Sequence, residues 1–508
     1  MPALIAFVFC LSATSLGWGA GIKDPLAITT LFPANGATEI DLNITVEVSF
    51  NHRILTSSLN DSTFQIRDPS GALVPIVLKK RATGERILAT PKLALLPATS
   101  YTLTIKGGNA GMISESEIPL FKSLSFSFRT RAPFPRTGLT LMHWSDIAAK
   151  LVGTFHLPVS SGGEAGIANN FLYSYGIHAQ LRNGNLLVEG NPRIHKQVEV
   201  KLPTKLDGSS ANTINAWLDV TQKRVPVGWD SINPSYDLGG LLEMGNRLYF
   251  TKFQWYNGGG HDWPSIGYHE SGKTFGMWPI SGPGAHNQRV AGYMSYAPKI
   301  LSDSGYPMLA GQQGTSGAAI GRWGPNLFAL RGNFPASIAS PILAKPLLLH
   351  TELAKGFPGW YVGDRVSSAV WIETKTQQAL LVFLYQQLGG DTWYGEPTKG
   401  TQVDPYGGYK GYHASGYILE VWIYDPDVLM EVFTGKRDPG SLRPAEKMAL
   451  IERAPGDTAN RIHSFITGDA LQLLQASYRD GRLIILQPNG FRSGPYETDP
   501  KGYVLKLE

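Results

Sequence analysis

The sequence of 508 residues contains almost no cysteine and little charge. Its single cysteine, Cys10, lies in an apolar N-terminal stretch, so the rest of the chain offers no disulfide, thiol nucleophile or thiolate metal ligand. Charged residues make up 17% of the chain, and 45 Lys and Arg are scattered among 40 Asp and Glu to give a net charge of +5. This balance predicts no nucleic-acid partner. The low charge, together with 57 Gly and 34 Pro, favours many short strands.

Long apolar runs and familiar catalytic motifs are also missing. No stretch reaches the roughly 18 consecutive apolar residues of a membrane helix, so we predict no transmembrane segment. The sequence has no Gly-x-Ser-x-Gly elbow, no His-Glu-x-x-His and no phosphate-binding glycine loop. Turns at Asp303 and Asp425 lack the ligand count and spacing of a calcium loop. We therefore predict no metal site and no cofactor.

The first 21 residues have the composition of a signal peptide. An apolar run from Ala3 to Phe9 is too short to span a bilayer and is followed by small residues up to Gly21. No Lys or Arg precedes this run, and a buried N-terminal strand is the alternative. We predict a signal peptide at residues 1–21 and a protein that is secreted, periplasmic or at the cell surface.

Residues 27–132 show the alternation of polar and apolar residues that is typical of strands with one buried face. The alternating runs are Ile44–Phe50, Thr63–Arg67, Tyr101–Ile105 and Leu124–Thr130. Turn formers such as Asp68-Pro69-Ser70-Gly71 separate them. This pattern predicts an antiparallel β-sandwich of about a hundred residues. The Pro-rich residues 133–136 are the predicted linker to the rest of the chain.

The order of motifs in this region resembles the bacterial Ig-like module of the S-layer (SbsA) type. The matching segments are Leu31–Ile40, Val48–Asn51, Thr90–Leu95, the Tyr101 strand and Phe126–Thr130. The resemblance covers the whole module and implies an Ig-like sandwich that acts as a spacer or attachment domain on an exported protein. It implies no functional residue.

Residues 137–508 contain strand runs that begin with a repeated tight turn. The turns are Gly184-Asn185, Gly245-Asn246 and Asp480-Gly481, each followed directly by an apolar strand. Such a repeat predicts a β-propeller, so the chain is expected to be all-β. At roughly 45–60 residues per blade, this region would form about seven blades. A large sandwich or a β-helix are the alternatives.

The same region resembles a family of secreted bacterial β-propeller proteins. The segments that carry this resemblance are Gly184–Asn191, Gln197–Pro203, Gly239–Leu242, Gly292–Met294, Lys410–Ala414, Glu420–Asp425 and Gly502–Leu507. The resemblance implies a propeller and export, and it implies no catalytic residue.

Two Gly-rich segments carry clustered aromatic residues. One spans 255–264 and contains Trp255 and Trp263, and the other spans 391–413 and contains Trp393 and Tyr412. Aromatic rings beside amides and carboxylates suit a sugar, because a ring stacks on the pyranose C–H face while polar groups bind the hydroxyls. We predict that these four residues bind a polysaccharide or a cell-surface glycan. The alternative for any one Trp is a wedge between blades.

The same segments also contain candidate residues for an enzyme active site. A polysaccharide lyase needs a Tyr or His as base and a cation for the uronate, for which the candidates are His261, Tyr268, His413 and Arg322. A glycoside hydrolase needs two carboxyl groups, which Asp262 with Glu396 or Asp404 could supply. The predicted function is an exported carbohydrate-binding protein, with lyase or hydrolase activity as the alternative and a structural surface protein third.

Overall fold

The computed structural model describes most of the chain after residue 23. The described residues are 24–40, 42, 44–80, 84–93, 95–96, 98–130, 139–158, 171, 174–191, 195–226, 236–254, 262–312, 324–350, 357, 360, 364–388, 392–393, 411–412, 416–454, 457, 459–467, 474–494 and 497–508. They fall into two compact units, with nearly all residues up to Thr130 in the first and those from Arg131 in the second. Short segments at 41–44 and 94–98 group with the second unit.

The first unit contains two four-stranded sheets and a 3₁₀ helix at Thr56–Ser58. One sheet has the order β1 (Ile28–Phe32), β3 (Val46–Phe50), β6 (Arg86–Pro91) and β5 (Ile76–Lys80). The other has the order β2 (Ala37–Ile40), β8 (Leu124–Thr130), β7 (Ser100–Ile105) and β4 (Phe64–Arg67). The alternating runs bury one face, as Phe64 and Ile66 of β4 show. Burial of that apolar face is what holds the unit together.

The second unit contains five sheets of four or more strands. Sheet 1 has the order β11 (His178–Gln180), β12 (Leu186–Glu189), β13 (Gln197–Lys201) and β15 (Asn212–Thr213). Sheet 2 has the order β16 (Tyr236–Met244), β17 (Arg247–Gln254), β18 (Ile266–Glu270) and β19 (Lys273–Trp278). Sheet 3 has the order β21 (Tyr293–Tyr296), β22 (Met308–Gly311), β23 (Leu327–Leu330), β24 (Ile342–Leu348) and β20 (Ile280–Ser281).

Sheets 4 and 5 follow in the chain. Sheet 4 has the order β25 (Arg365–Glu373), β26 (Gln377–Leu388), β29 (Gly416–Tyr424), β30 (Glu446–Arg453) and β31 (Arg461–Ile462), with β9 (Thr140–Leu141) paired to β26. Sheet 5 has the order β32 (Gln475–Arg479), β33 (Arg482–Gly494), β34 (Glu497–Lys506), β10 (Leu151–His156) and β14 (Asp207–Ser210). The remaining elements are a ribbon of β27 (Thr392–Trp393) and β28 (Gly411–Tyr412), three α-helices at Trp144–Ala148, Lys299–Asp303 and Pro426–Phe433, and a 3₁₀ helix at Asn287–Val290.

The described part of the second unit therefore has five large sheets, and they do not by themselves show the β-propeller of about seven blades that the sequence predicts. Long segments lie between neighbouring strands of a single sheet. Residues 389–415, for example, separate β26 from its neighbour β29. The number of blades stays a prediction.

The strand that opens the order given above for each sheet is called its first strand. The antiparallel strand next to it in that order is called the second strand. The first strands are β11, β16, β21, β25 and β32. In order along the chain each contacts the next, and β32 also contacts β11. Sheets 1 and 5 are joined further by His178, whose Nε2 lies 2.8 Å from Ser477 Oγ. Gly239 of β16 lies so close to sheet 3 that a Cβ there would come 1.8 Å from Ala291 O.

We call the end of each sheet where a turn connects the first strand to the second strand the turn end. Gly184, Gly245 and Gly481 lie in these turns with positive φ, which explains the turn residues repeated in the sequence. The opposite end, where first strands begin and second strands end, is called the loop end.

Side chains from several sheets meet at the turn end. Arg479 Nη1 donates to Glu243 Oε2 at 2.6 Å and to the Gln180 carbonyl at 2.8 Å. Arg482 Nε donates to Gln180 Oε1 at 2.9 Å, and Tyr296 donates its hydroxyl to the Glu243 carbonyl. Sheets 1, 2, 3 and 5 are therefore cross-linked by polar contacts at this end.

Candidate functional site

Each second strand contains, or is followed directly by, a buried Glu or Gln. The residue is the last of β12 and β17, follows β22, lies two residues before the end of β26 and lies in the middle of β33. These residues are Glu189, Gln254, Gln312, Gln386 and Gln487, each between 0% and 4% exposed. Three of them form a side-chain hydrogen bond with a residue in or next to their own sheet. Asn326 donates to Gln312 at 3.1 Å, Gln386 donates to Asp364 at 3.1 Å, and Tyr503 donates to Gln487 at 2.9 Å. Glu189 differs from the other four because it alone brings an acidic group to this position.

Glu189 is fully buried, and neither of its carboxyl oxygens has a hydrogen-bond partner among the described residues. Burial raises the pKa of this carboxyl well above its usual range, and the charge of Asp237 raises it further. The backbone N–H of Tyr175 opposes this effect without reaching hydrogen-bond geometry. Burial therefore favours the neutral form of the Glu189 carboxyl.

Asp237 lies at the start of β16 and is only 6% exposed. Burial raises the pKa of Asp237 to about 6, and the positive charge of Lys252 limits the rise. Burial in turn lowers the pKa of Lys252 to about 8, against the charges of Asp219 and Asp237, and its Nζ donates to the Arg224 carbonyl at 3.0 Å. Lys252 thus favours the ionised form of Asp237, and no such cation acts on Glu189 among the causes of its pKa shift.

Two half-buried side chains complete what we call the loop-end cluster: Tyr175, Glu189, Asp237 and Arg365. Burial raises the pKa of Tyr175, the charges of Asp237 and Glu189 raise it further, and the Arg365 guanidinium opposes them. Glu189 belongs to sheet 1, Asp237 to sheet 2 and Arg365 to sheet 4, and Tyr175 lies three residues before β11 of sheet 1. The cluster therefore combines two carboxyl groups, a phenol and a guanidinium from residues in or beside three sheets.

Asp262, predicted as a catalytic carboxyl, contacts the 3₁₀ helix at Asn287–Val290. Its Oδ1 lies 2.9 Å from His286 Nδ1 and accepts from the Asn287 amide at 2.6 Å. Partial burial raises the pKa of Asp262, but the hydrogen bond and charge of His286 and the Asn287 donors outweigh burial and hold it below its usual range. These contacts give Asp262 a structural function, and its catalytic role stays a prediction.

Tyr268, predicted as a base, lies in an aromatic cluster nearer the turn end. Its ring stacks on Trp278 with centroids 5.5 Å apart, and the Arg247 guanidinium lies 4.4 Å from its centroid. Tyr268 pairs with Tyr249, five residues before Gln254 at the loop end. At the usual rise of a strand this separation is about 16 Å. The structure therefore does not bring Tyr268 together with the loop-end cluster.

Trp263, predicted to bind a sugar, is half-buried and packs against the core cluster between sheets 1 and 2, which includes Leu241 and Phe250. Other tryptophans of the aromatic-rich region are also buried, namely Trp278, Trp360, Trp371 and Trp422. These positions favour the alternative that such residues wedge between sheets.

The remaining predicted residues are described only in part or not at all. β27 and β28 pair Trp393 with Gly411 and Thr392 with Tyr412, so the two predicted ligand-binding residues lie on neighbouring strands. The residues that lie outside the described part of the chain are Trp255, His261, Arg322, Glu396, Asp404 and His413. Along the chain, the segments that hold Trp255 and Trp393 follow β17 and β26, which both end at the loop end.

Glu189, Asp237 and Arg365 were not among the functional residues predicted from the sequence. A signal exists for Glu189 alone, namely an apolar run followed by Gln or Glu, as in Leu187-Val188-Glu189 and Ile485-Leu486-Gln487. This repeat would have marked Glu189 as the acidic exception, and it gives no signal for Asp237 or Arg365.

Comparison with known proteins identifies the first unit. A family model of a bacterial Ig-like domain matches residues 22–130. The expected Ig-like domain is thus confirmed, and the chain as a whole is predominantly β. A search of curated proteins found no similar sequence. No helix within the described ranges is long and apolar enough to cross a membrane.

Several solved structures overlap with parts of the chain. CopC from Methylosinus trichosporium OB3b shares 13% identity over 22% of this chain and 98% of its own, with a TM-score of 0.18. Domains 1–6 of the surface layer protein SbsC share 9% identity over 95% of this chain and 51% of that one, with a TM-score of 0.18. An L,D-transpeptidase from Mycobacterium smegmatis shares 10% identity over 36% and 55%, with a TM-score of 0.15. Similarity at this level does not indicate a function.

Proposed function

We propose that the chain is an exported bacterial protein whose second unit is a five-bladed β-propeller that binds a carbohydrate at its loop end. The Ig-like domain then acts as a spacer or attachment module. The observation that carries the binding proposal is the buried carboxyl group of Glu189 in the loop-end cluster, which has no hydrogen-bond partner among the described residues and lies at the end of the sheets where β17 and β26 lead into the aromatic-rich segments.

The contacts among the first strands support a propeller. Each first strand contacts those of at least two other sheets, and β32 contacts β11 to complete the order; β21 and β32 also contact each other. Sheet 5 pairs β10, near the start of the unit, with β34 at the end of the chain. A last sheet built from both ends of a region is how a propeller closes. Five sheets then correspond to five blades.

The difference between the two ends supports binding at the loop end. At the turn end, Arg479, Glu243 and Gln180 satisfy one another with hydrogen bonds. At the loop end, Glu189 has no hydrogen-bond partner in the described part of the chain, and Gln254 Oε1 lacks one too. Buried polar atoms that lack a protein partner are usually satisfied by water or by a ligand.

Export is supported by the Ig-like domain and by the N-terminal sequence. Residues 22–130 match a bacterial Ig-like domain, and the preceding 21 residues have the composition of a signal peptide. N-terminal sequencing of secreted material is expected to begin between Gly19 and Ile22. Recovery of a chain that still begins with Met1 from the cytosol would contradict export.

A polysaccharide panel tests the binding proposal. The first unit contains no Trp, so Trp fluorescence of the chain without residues 1–21 reports on the second unit alone. At least one glycan is expected to change this fluorescence saturably, and Trp393→Ala is expected to weaken its binding at least tenfold. Phe275→Ala is the matched control, because Phe275 is 39% exposed and packs on Tyr268, away from the loop end. If no glycan of the panel changes the Trp fluorescence, the result would favour a structural surface protein.

A further inference from the structure

We propose that residues 202–211, called the latch here, fasten sheet 1 to sheet 5, and that their detachment from β10 is the first step by which the second unit opens. Sheet 5 pairs β10, near the start of this unit, with β34 at the end of the chain. We call β10 and β34 the closing pair. The latch is independent of the proposed carbohydrate binding and of the number of blades.

The latch is an excursion of the chain out of sheet 1. The chain leaves sheet 1 after β13, places β14 parallel to β10 in sheet 5, and returns to sheet 1 as β15. The two ends of this excursion meet where Lys201 pairs with Asn212. Because both ends are fixed in sheet 1, the latch can leave β10 without breaking that sheet.

Backbone hydrogen bonds hold the latch on β10. The Thr154 amide donates to the Leu206 carbonyl at 3.0 Å, and the Ala211 amide donates to the His156 carbonyl at 2.8 Å. Gly153 permits this approach, since a Cβ there would lie 1.9 Å from the Leu206 oxygen. Without the latch, β10 would be the outer strand of sheet 5, with a row of unpaired amides and carbonyls.

The latch buries less apolar surface than the closing pair does. Three of the four residues of β14 are exposed. Leu206 is half-buried and Ala211 is buried, and both pack against the core cluster between sheets 1 and 5. The closing pair, in contrast, buries Phe155, Tyr503 and Leu505 completely. Segments with few buried apolar contacts open at a lower free energy than core strands, so the latch should open before the closing pair.

Release of the latch has a consequence for the closing pair. Once the latch leaves, β34 is the one neighbour that β10 keeps in sheet 5. The chain has no cysteine after residue 21, so no disulfide can hold β10 in place. The latch would therefore slow the opening that exposes an exported protein to proteases and to aggregation.

A reversible cross-link tests the order of opening. Thr154 lies opposite Asp207, so Thr154→Cys with Asp207→Cys would join the latch to β10 in a chain that has no other cysteine after residue 21. The oxidised variant should unfold in urea at least about tenfold more slowly than the same variant after reduction, because the disulfide blocks the first step.

The matched control is Lys201→Cys with Asn212→Cys. This disulfide closes the base of the latch within sheet 1 and leaves β14 free to leave β10. It should therefore change the unfolding rate less than about threefold. Equal slowing by the two disulfides, or no slowing by the first, would overturn the proposal.

Hydrogen exchange of the parent chain gives a second measurement that needs no cross-link. The amides of Thr154 and Ala211, which donate across the contact between the latch and β10, should exchange at least about tenfold faster than the buried amides of β34. Exchange of all these amides at one rate, set by unfolding of the whole unit, would show that the latch does not open first. The result of the polysaccharide panel affects neither test.

Discussion

Arg479 in the first strand of sheet 5 donates a hydrogen bond of 2.6 Å to Glu243 in the first strand of sheet 2. The two residues are 236 positions apart in sequence, and their side chains are only 15% and 23% exposed. The same guanidinium donates to the Gln180 carbonyl of sheet 1. One side chain therefore ties three sheets together at the turn end.

Replacement of Arg479 by Ala should destabilise the second unit by about 1.5–3 kcal/mol, because partly buried charged hydrogen bonds to Glu243 and Gln180 are lost. Urea unfolding followed by Trp fluorescence measures the effect. Arg461→Ala removes an exposed ion pair with Asp457 and should cost less than about 1 kcal/mol. Equal effects of the two substitutions would contradict a special role for Arg479.

Glu189 should make the folded state less stable as the pH rises above about 4.5, because the folded state keeps the Glu189 proton that the unfolded chain releases. Glu189→Gln removes this contribution. The variant should therefore gain stability relative to the parent as the pH rises from about 4.5, at up to about 1.4 kcal/mol per pH unit. Asp237, whose pKa is about 6 in the folded state, contributes in the same direction up to that pH and is retained in the variant. Stability curves that run parallel for parent and variant would show that Glu189 is not held neutral.

His178 has the opposite pH dependence. Burial lowers the pKa of His178 to about 4, so the unfolded chain binds a proton that the folded chain does not, and stability should fall between pH 6.5 and pH 4 by roughly 3 kcal/mol. His178→Asn should flatten this part of the curve. Ser477→Ala keeps the imidazole but removes its hydroxyl partner, and it should retain the slope at lower stability. An unchanged slope in His178→Asn would assign the acid sensitivity to other groups.

Trp263→Ala should cost about 2 kcal/mol of stability, because the half-buried ring packs against the core between sheets 1 and 2. Thermal unfolding measures this loss. If Trp263→Ala instead unfolds like the parent but loses glycan binding, the sequence-based prediction of a sugar-binding Trp would be restored.

Much of the strand content could be predicted from the sequence. The run Arg247–Phe253 lies within β17, and the run Tyr417–Tyr424 coincides with nearly all of β29. These segments are recognisable because a continuous apolar run bounded by turn residues has few alternatives. The number of sheets was not predictable, since it depends on which distant strands pair.

The candidate site was harder to predict than the fold. Aromatic residues such as Trp263 and Trp278 are conspicuous in a sequence, yet the structure uses them for packing. Glu189 and Asp237 are each inconspicuous alone, and they become a pair only when sheets 1 and 2 are in contact. A site that forms only when distant strands pack together leaves little signal in local sequence patterns.

The pairing of β10 with β34 also sets the order of events during biosynthesis. Leu151 pairs with Leu505, so β10 is made early in the second unit and stays an unprotected edge until β34 has been made. Sheet 5 therefore cannot be completed before residues 497–506 are free to pair. Until then the second unit stays incompletely folded, and its unpaired strand edge is exposed to other chains.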